Sequence, residues 1–287
     1  MESRLDKQRV ATHFGKAAES YDAHAVLQRE VAQRALERLD YMNLEPRHVL
    51  DLGAGTGCCA RALARRYRKA RIVECDLAPA MLQVSRRQAP RWFSRHHHVC
   101  ADAERLPFAA ATFELVFSSL AVQWCEDLPA TFRGVRRTLA DGGLFLFTTL
   151  GPDTLQELRT AFASVSDAPR VNRFIDMHDI GDMLGAAGFA DPVMEAEHIA
   201  VEYDDVVTLL HDLKGLGAAN ADAARPRGML GPRQLRQVIA AYEQRRRSGK
   251  LPATYEVIYG HAWAVPRREP KMPSEHIVPL SSLRRRP

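Results

Sequence analysis

Apolar positions along the chain change their period near residue 46. Before that point they recur every three to four residues. In "YDAHAVLQREVAQRALERLDYM" the positions Val26, Val31, Ala35, Leu36 and Leu39 fall on one helical stripe, so residues 1–45 read as helical. After it, short apolar runs alternate with amphipathic segments. "RHVLDLG", "ARIVECD", "HHHVCAD", "TFELVFSSLAVQW" and "GLFLFTTLG" predict strands. "CCARALARRYRK", "LAPAMLQVSRRQA" and "DLPATFRGVRRTLA" predict helices among them, the second with Pro79 in its first turn and the third ending at "DGG". Beyond Gly151 the alternation loosens. "DTLQELRTAFASV" and "IGDMLGAAGF" read as helices, the latter stopped by Gly188, and "PVMEAEHIAVEY" alternates as a strand. Asp205 to Ser248 is helical by the same period, and the aromatic, β-branched "ATYEVIYGHAWAV" closes the sheet.

Strands alternating with helices predict an α/β fold whose parallel sheet is covered on both faces. Right-handed crossovers then put the loops that follow the parallel strands on one edge. The helices of 1–45, about 151–178 and about 205–250 are candidates for a cap over that edge. The expected organisation is an N-terminal helical lid (1–45), a main domain (46–265) and a tail (266–287).

Charge changes this picture only at the end of the chain. The net charge is +5, but 266–287 holds six of the 40 Lys and Arg and two of the 35 Asp and Glu. The body is therefore nearly neutral, at 34 bases against 33 acids. With five of the 16 prolines, the tail reads as disordered, and the excess charge gives no reason to expect nucleic acid as a partner. The apolar runs are too short to span a bilayer, and the charged N-terminus "MESRLDKQRVATHFGK" lacks the apolar segment of a secretory signal. The five cysteines show no CxxC pair, which predicts reduced, mostly buried thiols in a cytoplasmic protein. "HHHVC" is no metal site on this reading, because adjacent imidazoles on a strand point to opposite faces.

The chemistry concentrates in "HVLDLGAGTG". Gly53, Gly55 and Gly57 follow a strand and let backbone amides approach a ligand. The third glycine comes one residue early for the dinucleotide fingerprint G-x-G-x-x-G, and no Gly-Lys-Ser/Thr follows for a P-loop. Asp51 ends the first strand, where a carboxylate opposes a pyrophosphate but suits the ammonium of a methionine moiety. Asp76 ends the second strand, placed for ribose hydroxyls. Asp102, in "ADAERLPF", ends the third, placed for an adenine amino group, with Leu77 and Met81 as apolar cover for the ring. The set favours S-adenosylmethionine (SAM) over NAD.

These stretches carry a resemblance. "VLDLGAGTG", "CDLAPAML", "ADAERLPF" and "GGLFLFTT", in that order, resemble the class I SAM-dependent methyltransferases, whose Rossmann-like fold is a mostly parallel seven-stranded sheet. "FGKAAESYDAHAVLQ", "FSSLAVQWCEDL", "TTLGPDTLQELRTAF", "VNRFIDMHDI", "LLHDLKGLGAAN" and "LPATYEVIYGHAW" are similar to the malonyl-acyl-carrier-protein O-methyltransferases of biotin synthesis. The resemblance implies methyl transfer from SAM to the free carboxylate of a malonyl thioester, on acyl carrier protein or coenzyme A, leaving S-adenosylhomocysteine. The methyl ester would then be elongated toward pimelate. It also implies that Tyr21 and Gln28 on the lid contact SAM, as would Ala103, and that Ser118 and Leu120 lie beside the methyl donor.

An ionised carboxylate needs no general base, so no catalytic triad is expected and none is found. A cation must hold the malonyl carboxylate: Arg173 in "VNRFID" leads and Lys214 follows, while Gln123 and Trp124 would wall the acyl channel. "RGVRR" (Arg133, Arg136, Arg137) and "EQRRRSGK" (Arg245 to Lys250) are the basic clusters available to dock an acidic carrier. A monomer is expected. Two other readings stay open: a quinone-type methyltransferase, for which "LKGLGAAN" is superfluous, and a SAM-binding assembly factor for a respiratory complex. An RNA methyltransferase would call for an Asn-Pro-Pro-Tyr-type motif where "SSLAVQW" stands.

Overall fold

Seven strands form one sheet in the order β3-β2-β1-β4-β5-β7-β6. They are β1 (His48–Leu52), β2 (Arg71–Asp76), β3 (His96–Cys100), β4 (Phe113–Ser119), β5 (Leu139–Leu150), β6 (Ala190–Tyr203) and β7 (Leu251–Trp263). The first five are parallel, and β7 lies antiparallel between β5 and β6. The computed structural model describes residues 5–90, 95–165, 170–216 and 231–266. The predicted tail therefore lies outside the described residues, except for Pro266, as does the "GAAN" end of the late motif.

The central parallel strands β4 and β5 are apolar at successive positions because helices cover both faces. Leu115, Phe117, Leu144 and Leu146 point to one side, into a core completed by α3 (Val26–Arg38), α4 (Cys58–Arg66) and α7 (Gln156–Ala163). Val116, Phe145 and Phe147 point to the other, against Phe132 of α6 (Leu128–Thr138) and Leu184 of α8 (Met177–Ala186). The sheet order reverses between β1 and β4, so the loops leaving those two strands diverge and open a crevice. Over it lie α1 (Lys7–Ala17), the single turn α2 (Tyr21–His24) and α9 (Val206–Gly215), while α10 (Pro232–Glu243) packs against α7 and α9. The remaining helix, α5 (Pro79–Gln88), carries Pro79 in its first turn as expected.

The structure corrects several expectations. Val26 is 62% exposed and Leu27 is buried in its place, because the helix carrying the stripe begins only at Val26, which turns that side chain outward. The fourth strand ends at Ser119, not at Trp124. Leu120 takes a left-handed backbone (φ 48°), and Val122–Trp124 forms a 3₁₀ turn. "DGG" does not end the preceding helix. α6 stops at Thr138, and Gly142, at φ 76°, lies inside β5, donating its N–H to the Ala264 carbonyl. Of the five cysteines only Cys75 is fully buried. Cys58 opens α4 on its outer side and Cys100 ends an edge strand, so both are exposed, and all five thiols are free. Among the described residues no helix is long and apolar enough to cross a membrane.

Candidate active site

The crevice is floored by the glycine loop. Gly53, Gly55 and Gly57 have φ of 75°, 54° and 79°, a region costly to any side chain. A Cβ at Gly53 would collide with the Ala121 methyl, which holds the loop against the turn after β4. One at Gly57 would collide with the Ser85 hydroxyl and the Glu74 carboxylate. Gly55 faces open space, and its N–H donates to Asp76 Oδ2 at 2.9 Å. Asp76 Oδ1 accepts from the Ala78 N–H at 2.8 Å, so backbone amides orient this carboxylate while its remaining lone pairs face the cavity. Burial pushes its carboxyl up, against the pull of those amides.

Asp51 lies beneath the loop rather than on the cavity wall, and it is 1% exposed. Its Oδ2 is buried and has no hydrogen-bond partner among the described residues. Burial, then the charge of Glu74, holds its carboxyl well above the usual carboxylate range. An orphaned acidic oxygen under a loop shaped for close approach fits a ligand with a cationic end.

Two chambers open from the crevice. The first, about 110 Å³, is lined by Gly53, Gly55, Asp76, Leu77, Met81, Asp102, Ala103 and Ser118. Ser118 is fully buried, its hydroxyl donating to the Leu52 carbonyl at 2.8 Å. The second, about 230 Å³, is mostly apolar, with Leu27, Leu155, Leu158, Phe162 and Tyr255 on its walls and Gln28, Gln123, Arg170 and Lys214 as polar points. Phe14, Tyr21, Leu120 and Trp124 line both chambers and form the passage between them. Phe14 packs edge-on to Trp124 at 5.3 Å and tilted to Tyr21 at 6.4 Å. Leu120 can point into that passage because its left-handed backbone interrupts the strand, its N–H donating to the Thr148 carbonyl at 3.1 Å.

Most of the chain has close relatives. A family model described as "methyltransferase domain" matches residues 50–147. The malonyl-[acyl-carrier protein] O-methyltransferase of Gallionella capsiferriformans is 52% identical over 264 residues, 90% of this chain and 91% of that one. That of Halorhodospira halophila is 53% identical over 263 residues, 91% of this chain and 89% of that one. The chain belongs to the malonyl-[acyl-carrier protein] O-methyltransferase family. Solved structures agree on the fold. The YcgJ protein of Bacillus subtilis superposes with a TM-score of 0.60 at 17% identity, covering 82% of this chain and 99% of that one. Phosphoethanolamine N-methyltransferase 2 of Haemonchus contortus, in complex with S-adenosyl-L-methionine, superposes with a TM-score of 0.52 at 16% identity, covering 82% of this chain and 53% of that one.

In this O-methyltransferase several predicted residues sit elsewhere than expected. Gln28 lines the second chamber, not the first, and its Oε1 is buried without a partner among the described residues. Arg173 is exposed and borders a separate cavity of about 170 Å³ with Gln123 and Ile180. Asp102 is engaged across the chain. Lys7 Nζ donates to its two carboxylate oxygens at 2.7 and 2.6 Å and contacts Glu104 at 2.7 Å. Burial opposes the charge on Lys7, yet the two carboxylates outweigh it and leave the ammonium above its ordinary value.

Sequence reading missed Lys7 and Arg170. Lys7 ties α1 to the loop after β3 and belongs to the first chamber. Arg170 lines the second chamber, and its Nε is buried without a partner among the described residues. A charged residue in "SDAPRVNR", within the predicted cap, was the available signal. Part of each docking cluster is committed to the fold, while Arg133, Arg245 and Arg247 are exposed. Arg136 donates to the Gly188 and Val265 carbonyls, and Arg137 to those of Leu106 and Phe108. Arg246 pairs with Glu243, and Lys250 with Asp204.

Proposed function

We propose that the protein transfers the methyl of SAM to the free carboxylate of malonyl-acyl carrier protein, with the first chamber holding the donor and the second the malonyl group. The observation that carries this reading is Arg170. A buried guanidinium Nε without a partner among the described residues, in a mostly apolar chamber joined to the donor site, suits a carboxylate that must be held and stripped of water. Lys214 stands at the same chamber, while Arg173 faces a different cavity, so the clamp is assigned to Arg170 with Lys214 beside it.

The donor supplies a methyl on a positively charged sulfur. The carboxylate oxygen would attack that methyl in line and displace the sulfur: an O–CH₃ bond forms as the S–CH₃ bond breaks, the electron pair stays on the departing thioether and no proton moves. The protein's work is alignment and dehydration. Phe14, Tyr21 and Trp124 surround the passage, where their ring faces favour a cationic centre and exclude water. Burial pushes the Tyr21 phenol up, so it remains a neutral donor and wall at neutral pH. Asp76 would receive ribose hydroxyls on its free lone pairs, Leu77 and Met81 would cover the adenine, and Asp51, beneath the loop, would set its charge under the ammonium end. Asp102 takes the adenine amino group only alongside its Lys7 contact. Gln123 is fixed by donating Nε2 to the Leu120 carbonyl at 2.8 Å and borders the acyl side with Trp124.

Helices 1–45 act as a lid over a donor domain, and Lys7 is its latch. Lys7→Ala is expected to weaken SAM binding roughly three- to tenfold, the scale of one or two partly exposed ion pairs. Calorimetric titration with SAM checks this, and limited proteolysis should cut the N-terminal helices sooner. On the same reading the partner is a carrier protein rather than nucleic acid or a membrane, and the enzyme works as a cytoplasmic monomer. The five free cysteines suit a reducing compartment.

Intact mass spectrometry tests the reaction, with malonyl- and acetyl-acyl carrier protein each incubated with the enzyme and SAM. One methyl gained by the malonyl form alone is the expected result. No gain, with SAM binding intact by calorimetry, would overturn the reading.

A further inference from the structure

The basic clusters picked out by sequence are partly tied into the fold and line neither chamber, so an acidic carrier needs a surface nearer the second chamber. A second basic surface adjoins the second chamber at Lys214. On α1, Arg9, His13 and Lys16 fall at i, i+4 and i+7 and share one stripe, while Val10 and Ala17 are buried and Phe14 faces the chambers. This stripe forms a groove of about 610 Å³ with His24 of α2 and with His211, Lys214 and Gly215 of α9. No carboxylate lines it among the described residues.

The nearby acids are occupied. Asp212 contacts the His24 imidazole at 3.2 Å, and Asp22 accepts from Thr56 and Gln88. Glu19 pairs with Arg87, and Asp6 caps α1 through the Arg9 N–H. The Arg9 side chain keeps a buried Nε without a partner among the described residues. Lys214 lines both this groove and the second chamber, so the two spaces meet at one cationic residue.

We propose that this groove between α1 and α9 docks an acidic carrier protein, with the phosphodiester of its prosthetic arm passing Lys214 as the thioester enters the second chamber. The proposal rests on the carrier-bound substrate read above. Charge complementarity selects the occupant, since a groove that gathers Arg9, Lys16 and Lys214, with no acid among its described lining residues, repels basic partners and attracts an acidic one through water. It also explains why a small chamber serves a substrate carried by a whole protein: only the arm and its malonyl group need to pass.

The test uses the full chain and the double variant Arg9→Glu/Lys16→Glu. Labelled malonyl-acyl carrier protein is titrated into each at low and high salt, and methylation of malonyl-pantetheine, which has neither carrier nor phosphate, is followed in parallel. The expected result is carrier binding weakened about tenfold or more, with most of the salt dependence gone, as for rim charges that steer a partner. Malonyl-pantetheine turnover and SAM affinity should stay within about twofold. Unchanged carrier binding overturns the proposal. So does an equal loss of malonyl-pantetheine turnover, which would make the stripe part of the lid. Weakened malonyl-coenzyme A turnover with unchanged carrier binding would make the groove a nucleotide site instead. Carrier binding that depends on the groove, with no malonyl thioester methylated by the wild type, would sink the proposed reaction and leave the docking surface standing.

Discussion

Arg170→Ala should lower kcat/KM for malonyl-acyl carrier protein by about 10²-fold or more. Truncating one partner of a buried, hydrogen-bonded charge pair costs roughly 2–5 kcal/mol, or about 30- to several-thousand-fold. The loss should appear without a change in SAM affinity, because Arg170 lines only the second chamber. Folding should not suffer. The buried Nε has no partner among the described residues, so its removal relieves a desolvation cost instead of breaking a contact. Arg170→Lys restores charge without the planar fork and should recover only part of the rate. Arg173→Ala is the decisive comparison. That side chain is exposed and borders another cavity, and its removal should change kcat/KM by less than about threefold. A larger loss at Arg173 than at Arg170 would reverse the assignment. Steady-state kinetics on the three variants, with calorimetry for SAM, settles it.

How far the sequence anticipated this arrangement depends on the range of the interaction. The parallel strands and their helices were legible because burial on both faces leaves continuous apolar runs, as in Leu115–Phe117 and Leu144–Phe147. The glycine loop was legible because three left-handed residues in five accept little but glycine. Boundaries failed where composition and backbone part company. "AVQW" continues the apolar run of β4, but a left-handed Leu120 turns it out of the sheet and into the passage between the chambers. "DGG" looks like a helix stop, yet its irregularity serves the pairing of β5 with the chain after β7.

The polar contacts of the site were the least legible. Lys7 and Asp102 meet across 95 residues, and nothing local to either marks the pair. Arg170 and Arg173 sit three residues apart in a segment without helical or strand period, so no phase told which one faced the chamber. The same holds for Gln28. Its place on the second chamber follows from where α3 begins, the feature that also turned Val26 outward.

Asp51→Asn should stabilise the ligand-free protein and weaken donor binding at the same time. Folding carries the Asp51 carboxyl into a fully buried position where burial and the Glu74 charge raise it well above its ordinary value. For a carboxyl raised on folding, the unfolded chain releases the proton more readily. Its contribution to stability is whole below the unfolded pKa of about 3.9 and is lost as pH rises through the raised folded value. At neutral pH the wild type therefore carries a penalty that the neutral amide lacks. An unsatisfied buried polar group costs roughly 1–3 kcal/mol, and each kcal/mol moves Tm by about 2–4 °C in a chain of this size. Without ligand, the variant should thus melt several degrees higher than the wild type at pH 8, with the gap closing toward pH 4. Binding runs the other way. A cationic ammonium above the loop stabilises the ionised carboxylate, so SAM should bind the wild type more tightly as pH rises through the same window, releasing a proton. The variant should show neither effect, and its affinity for SAM should fall about 10- to 100-fold, the scale of a charge-assisted contact. Thermal melts across pH, with calorimetry in two buffers of different ionisation enthalpy, measure both halves. A variant less stable than wild type at pH 8 would mean that Asp51 is satisfied in the ligand-free fold. An unaltered SAM affinity would place the ammonium elsewhere in the crevice.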